Sequence, residues 1–330
     1  MRNDVSSQRR LPWNLALGLS AALLVFIAYN QSFWWVSEPD YFYGFLTPLF
    51  CLTIVRERWP LILRSLAAAE APGSARADGL RGILLKFSAI AFLALGCGGI
   101  VAGSLMRTDG MEPSAASNFT VTLGGILAIF GLLFVCVPAS RNGTASATLA
   151  KDARLGVLAL FIYPVGVWML SARLMGAVEI PLSLFLQARI TGFVSTVFDL
   201  AGASLIREGN VLLLPGGPIG VSEACSGIRS LTGSLFTGAF LGAAFFRTYT
   251  PKVLLLLAAI LMAFLSNLAR TLFLCIWSYQ RGPHSIEGMV HDATGYAVLA
   301  LSTLGLLVMV GIFKQAGRIR VEFSKPGGAP

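Results

Sequence analysis

Three short polar clusters interrupt an otherwise apolar chain, and each carries a residue type suited to thiol chemistry. They are Ser222-Glu223-Ala224-Cys225-Ser226-Gly227-Ile228-Arg229, then Asn267-Leu268-Ala269-Arg270, then His291-Asp292-Ala293-Thr294-Gly295. A thiol, a guanidinium and an imidazole brought to one depth supply a nucleophile, a charge for an oxyanion and a proton acceptor and donor. Of the five cysteines, Cys51, Cys97, Cys136 and Cys275 sit in apolar runs, where a free thiol behaves as a small hydrophobe. Cys225 alone stands in a polar, Gly-rich context. In the first turn of a helix capped by Ser222, Cys225 would be favoured as the thiolate by the positive end of the helix dipole. Arg229 follows at i+4, on the same helical face. Taken alone, Cys225 and Arg229 read as an interfacial packing residue and a snorkelling charge; the other two clusters give them a chemical reading.

Arg270 lies inside the apolar stretch 254–277. An Arg at membrane depth costs about 2.5–3.5 kcal/mol on insertion scales, so it is expected to face a polar interior and to find a partner there. Asn267, at i−3, shares its face. His291 opens the last apolar run beside Asp292, whereas His284 lies in the loop Arg281-Gly282-Pro283-His284, the setting of a solvated side chain. Two histidines at this spacing with one nearby cysteine make no zinc pattern. The glycines at 216 and 217 do not lead from a buried strand into a phosphate-binding helix, so neither metal nor cofactor is expected.

The elements that position these residues are membrane helices. The chain has 330 residues, 55% apolar and 12% charged, where a soluble domain carries roughly 25% charged residues. A bilayer core needs about 20 apolar residues per helix, and eight spans are expected, at 12–30, 41–55, 83–105, 119–138, 155–175, 228–246, 252–277 and 293–313. The second is short and contains Pro48, so a tilted or partly re-entrant course is expected there. The N-terminus carries Arg2, Arg9 and Arg10 before an apolar run but lacks a small-residue cleavage site after it, which predicts an uncleaved first helix.

The net charge of +9 comes without a basic, aromatic-interleaved stripe, so nucleic acid is not the expected partner. With both termini cytoplasmic, 18 of the 25 basic residues fall on cytoplasmic segments, as membrane topology demands. Trp34, Trp35, Tyr41 and Tyr43 suit an outer interfacial belt. The expected architecture is an all-α polytopic membrane protein, one transmembrane domain over 1–330, with a cytoplasmic linker at 65–80 and the helices of 227–312 carrying the polar clusters. Residues 177–226 read as an extracytoplasmic interfacial segment before the sixth span: an amphipathic helix around 180–200, then a hairpin turning at Pro215-Gly216-Gly217-Pro218.

The cluster Glu223-Ala224-Cys225-Ser226-Gly227-Ile228-Arg229-Ser230, followed by Asn267 with Arg270 and then His291, resembles the exosortase/archaeosortase family in order and approximate spacing. The resemblance runs over about 40–312 and is strongest at 180–300, where it takes in Pro181-Leu182, Gln187 and the run from Glu208-Gly209-Asn210 to Pro215. It implies a cysteine peptidase or transpeptidase of the bacterial inner membrane, with its site facing the periplasm. Such an enzyme recognises the C-terminal sorting signal of exported proteins: a short Pro-Glu-Pro-like motif, an apolar helix and a basic tail. It would transfer the new C-terminus to an acceptor, with a lipid or a glycan as candidates. By the same resemblance Cys225 is the nucleophile, Arg270 the oxyanion or thiolate partner and His291 the general acid and base. Arg229, Asn267, Ser226 and Gly227 support them. The family's Tyr-Ser-His-Gly is replaced here by Tyr41-Phe42-Tyr43-Gly44, so no histidine stands at Tyr43.

Two other readings compete. A transporter could line a path with Arg270 and Asn267, but the polar groups gather at one face and no inverted repeat is evident. A membrane acyltransferase using His291 and Asp292 would leave Cys225 idle.

Overall fold

The computed structural model describes residues 2–77, 79–107, 113–138, 144–146, 152–220 and 227–324. By internal contacts the chain divides into two compact units, residues 1–175 and 176–330.

The first unit contains α1 (Arg2–Ser37), a 3₁₀ segment (Pro39–Leu46), α2 (Thr47–Glu70), α3 (Gly79–Leu105), α4 (Ala115–Cys136) and α5 (Ala153–Gly166), which runs into a 3₁₀ turn at Val167–Met169. Strands β1 (Ala75–Ala77) and β2 (Thr144–Ser146) pair in parallel. The stretch 65–80 is therefore helical as far as Glu70 and then contributes β1. The second unit contains α6 (Gly176–Leu200), β3 (Ile206–Glu208), β4 (Val211–Leu214), β5 (Gly217–Gly220), α7 (Ile228–Phe245), α8 (Tyr249–Arg281), a 3₁₀ turn (Pro283–Ile286) and α9 (Met289–Ser324). The three strands form one antiparallel sheet in the order β3-β4-β5.

Six helices among the described residues are long and apolar enough to cross a membrane: α1 from Arg10, α3, α4, α6, α8, and α9 to Ala316. Ala153–Met169 and Ser230–Phe245 are apolar but shorter. This departs from the expected eight. The 41–55 run is divided between the 3₁₀ segment and α2, and α2 carries Arg56, Glu57 and Arg58 at its middle. Conversely, α6 has the length and composition of a span where an amphipathic interfacial helix was expected. Part of its polar complement is turned to protein. Ser183, Gln187 and Thr191 are buried within the unit, while Ile180, Leu184, Phe185 and Phe193 are exposed, the polarity a lipid solvent selects.

Helices α3 and α4 meet through glycines. A methyl group at Gly131 would lie 2.6 Å from Leu93 N, and one at Gly124 would lie 2.8 Å from Ile100 N, so either side chain would force the helices apart. Ser117 Oγ donates to Gly103 O at 2.6 Å across the same contact. Small residues at a helix crossing are what allows close association where lipid offers no hydrophobic drive.

Helix α5 shows how irregular backbone survives in the unit's interior. Pro164 has no N–H, which leaves the carbonyl of Leu160 without its helical donor. Arg58 Nη1 donates to that oxygen at 2.9 Å, with its guanidinium over the Tyr163 ring. Beyond Gly166 the helix breaks, and the freed carbonyls find side-chain donors: Gln31 Nε2 on Trp168 O at 3.1 Å, Tyr43 OH on Leu170 O at 3.0 Å and Trp35 Nε1 on Ser171 O at 3.1 Å. Gln31 is fully buried and completely bonded, donating also to Thr122 Oγ1 and accepting from Ser171 Oγ.

At the other end of α5, Asp152 is the N-cap and is 2% exposed. Its carboxylate accepts from Arg154 N, Arg154 Nε, Arg154 Nη2 and Ala77 N, all at 2.8–3.0 Å. Burial alone would push this carboxyl upward; the bonds from Arg154 and Ala77 and the Arg154 charge outweigh it, and Asp152 is held below its ordinary value.

Two outcomes follow from these contacts. Arg58→Met should lower the thermal midpoint, and adding Pro164→Ala, which restores a donor to Leu160 O, should recover most of that loss in a double-mutant cycle. Asp152→Ala leaves Arg154 buried and unpaired, at a cost of about 3–5 kcal/mol near neutral pH. Because the folded pKa is depressed, the stabilisation is complete above the ordinary carboxylate pKa and fades as pH falls through the lower folded value. Unfolding curves of parent and variant should therefore converge only in strong acid.

Candidate active site

The second unit brings together the N-terminus of α7, the C-terminal half of α8 and the first turns of α9, three helices that pack on one another. Helix α8 turns Ser266, Asn267, Arg270, Thr271, Leu274 and Ser278 inward, all buried. Ser266 Oγ meets Ser302 Oγ of α9 at 2.7 Å, and Thr271 Oγ1 bonds Asn267 O. The inward stripe fixes the rotation of α8 and so the direction of Arg270.

Arg270 is 8% exposed and reaches the start of α9. Its Nε donates to Thr294 Oγ1 at 3.3 Å; Nη2 lies 3.3 Å from His291 O and 3.1 Å from His291 Nε2. A guanidinium has no acceptor. In this contact Nε2 is therefore the acceptor, and the ring proton resides on Nδ1, which faces Asp292 Oδ1 at 3.3 Å. Thr294 Oγ1 closes the group by donating to His291 O at 2.8 Å. The arrangement sets one imidazole nitrogen against a cation and the other beside a carboxylate.

The N-terminus of α7 is placed by Gly227. This residue is the N-cap, has φ of +85°, and a methyl on it would lie 2.9 Å from Asn267 Nδ2. Both the backbone conformation and the approach of Asn267 require glycine. Asn267 thus links the start of α7 to the helical turn that carries Arg270.

Helix α7 begins at Ile228, with Gly227 rather than Ser222 as its cap. This corrects the expected Ser222 cap of the helix; Cys225 stands two residues before Gly227 in the sequence. Cys225 and Ser226 lie outside the described residues. The covalent chain nevertheless keeps the Cα of Cys225 within about 7 Å of that of Gly227. Arg229 is the second residue of α7.

The other polar residues fall elsewhere. His284 sits on the 3₁₀ turn with its side chain 93% exposed, 3.2 Å from Glu287. Tyr43 belongs to the first unit, where its hydroxyl donates to Leu170 O and acts as a backbone tether. Among the described residues no group of three or more His, Cys, Asp or Glu side chains could hold a metal. Thr294 received no role from sequence, although its i+3 spacing from His291 on a helix was the available signal. Beside Gly227 and Asn267 opens an apolar cavity of about 410 Å³, lined by Leu182, Phe185 and Leu186 of α6, Leu231 of α7 and Leu261 and Phe264 of α8 among others.

A helical chain with several membrane-length apolar helices and a polar cluster gathered at helix ends is a multi-pass membrane protein. The family described as transmembrane exosortase (Exosortase_EpsH) matches residues 34–308, a stretch that includes all three clusters. The chain belongs to the transmembrane exosortase family. No curated protein and no solved structure matches it.

Gly227→Ala should lower stability by about 1–2 kcal/mol for the left-handed backbone alone, plus the displacement of Asn267. Combining it with Asn267→Ala should recover the second part and leave the first, a positive coupling readable from thermal midpoints in detergent.

Proposed function

We propose that this exosortase is a cysteine peptidase and transpeptidase that removes the C-terminal sorting signal of exported proteins at the periplasmic face of the inner membrane. The observation that carries the reading is the Arg270–His291 contact, joined through Asn267 to Gly227, two residues from Cys225. Nucleophile, proton carrier and oxyanion donor then belong to one end of three packed helices. The apolar cavity beside Gly227 and Asn267 supports an enzyme whose substrate presents apolar residues next to its cleaved bond.

In this reading His291 takes the proton of the Cys225 thiol, the thiolate attacks the scissile carbonyl, and the developing oxyanion accepts from N–H groups of Arg270. Collapse breaks the C–N bond. The leaving amine receives a proton from His291, and a thioester to the substrate's new C-terminus remains. Attack by water or by an amine-bearing acceptor, its proton passing to His291 and from there to the departing sulfur, releases the product and returns the thiol. A transporter has less support: Arg270 is buried and engaged by Thr294 and His291.

Co-expression with exported proteins ending in an apolar helix and basic tail, followed by mass spectrometry of tail removal, tests the reading. Cys225→Ala should abolish removal with membrane insertion unchanged. His291→Ala should reduce turnover by about 10²–10⁴-fold, the usual worth of a general acid or base, while leaving part of the alkylation of Cys225. Arg270→Lys, which loses the planar fork, should impair turnover far more than folding. Full processing by a well-inserted Cys225→Ala protein would refute the thiol mechanism.

A further inference from the structure

The end of the first unit where α1 finishes and α4 begins carries a polar cluster that the proposed chemistry does not use. Asn118, at the start of α4, is fully buried. Its Oδ1 accepts from Arg173 N at 3.2 Å, and its Nδ2 donates to Asn30 Oδ1 of α1 at 3.0 Å. The bond from Arg173 fixes which end of the Asn118 amide is oxygen, and that in turn makes oxygen the atom that Asn30 turns to it. Trp34 follows Asn30 at i+4, on the same face of α1. The Arg173 guanidinium lies over the Trp34 ring at 4.2 Å, and its Nη1 donates to Glu38 Oε1 at 2.7 Å.

Three N–H groups of this cluster are buried with no hydrogen-bond partner among the described residues: Asn30 Nδ2, Trp34 Nε1 and Arg173 Nε. Asn30 is 2% exposed, and buried polar groups of folded proteins are nearly always bonded. All three groups are donors, so what they lack is an acceptor. Water is a poor fit, because its own two protons would need acceptors in turn. Glu38 occupies only Nη1 of Arg173, and Nε belongs to the edge shared with Nη2, which matches two oxygens of one oxyanion. Depth narrows the choice further. Helices α1 and α4 are of membrane length, and Trp34 lies in the last turn of α1 with Trp35 and Tyr41 close by in the chain, the level at which aromatic belts meet lipid headgroups. The cluster opens there, since the Arg173 side chain is 26% exposed.

We propose that Asn30, Trp34 and Arg173 form a binding site for a phosphate group, presented at this depth by the headgroup of a membrane lipid. Arg173 turns about its Glu38 contact to admit the phosphate, gives it the Nε edge, and uncovers the N–H groups of Trp34 and Asn30 for the remaining oxygens. The site lies wholly within the first unit and is independent of the thiol chemistry proposed above.

Native mass spectrometry of the full-length protein, stripped of lipid in detergent, tests this with three probes: phosphatidylglycerol, a diacylglycerol with the same tails and no phosphate, and inorganic phosphate. The parent should retain phosphatidylglycerol in preference to diacylglycerol. Trp34→Phe keeps a ring beneath Arg173 and removes the N–H, whereas Arg173→Lys keeps the charge beside Glu38 and removes the planar edge. Each should weaken phosphatidylglycerol binding about tenfold or more, with thermal midpoints of the lipid-free proteins within a few degrees of the parent. Arg281→Lys breaks a like stack, 4.2 Å over Trp277 in the second unit, and should bind as the parent does. Retention of inorganic phosphate alone, lost in the same two variants, would uphold the site and assign it a free phosphate as its source. Equal retention of phosphatidylglycerol and diacylglycerol, binding that neither variant weakens, or no binding of either phosphate source would overturn the proposal and leave these donors to ordered water.

Discussion

In a lipid solvent no water waits to pair with a stranded polar group, and this requirement organises both units. In the first unit two interruptions of helical bonding are met by side chains brought from elsewhere in the chain. Pro164 strands Leu160 O, and Arg58 arrives from α2; the break after Gly166 strands three more carbonyls, and Gln31, Tyr43 and Trp35 answer them. Arg270 obeys the same rule in the second unit, since one of its bonds goes to the backbone oxygen of His291. A buried cation is tolerable there because backbone and side-chain acceptors surround it.

That rule gives Arg270 two tasks that compete for one set of N–H groups. At rest its Nη2 covers the basic nitrogen of His291. In the proposed reaction Nε2 takes the thiol proton and the same guanidinium serves the oxyanion. Base and oxyanion donor are then coupled through a single side chain. Asp292 keeps the ring oriented while this happens, since its contact is to the other nitrogen.

The two clusters that the structure describes, Asn267 with Arg270 and His291 with Asp292, were legible in the sequence as polar residue types set against apolar runs. The buried stripe of α8 follows from i+3 and i+4 spacing around Asn267 and Arg270, and the apolar lengths of α1, α3, α4, α8 and α9 mark them as candidate spans. At α6 the sequence suggested an amphipathic interfacial helix, whereas the structure shows a helix of span length and composition with Ser183, Gln187 and Thr191 buried; period alone cannot distinguish a polar stripe turned to water from one turned to protein. The sequence misled at the start of α7, because Ser222 has the residue type of a cap, while the left-handed Gly227 that serves has none of a cap's hydrogen-bonding groups. The partners of Pro164 and of Asn210 were beyond reach, since Arg58 and Gln187 are distant in sequence and no local pattern announces them. The absence of a histidine at Tyr43 was visible, but not the carbonyl that its hydroxyl holds.

The glycine-lined contact between α3 and α4 bears on how the protein is made. The two helices are consecutive, and their complementarity lies in backbone surfaces that exist as soon as each helix does. Nothing from a later helix is needed to complete it. As the ribosome delivers the chain, this hairpin can close while everything from α5 onward is still unmade, and each later helix of the first unit then enters a membrane that already holds a rigid template.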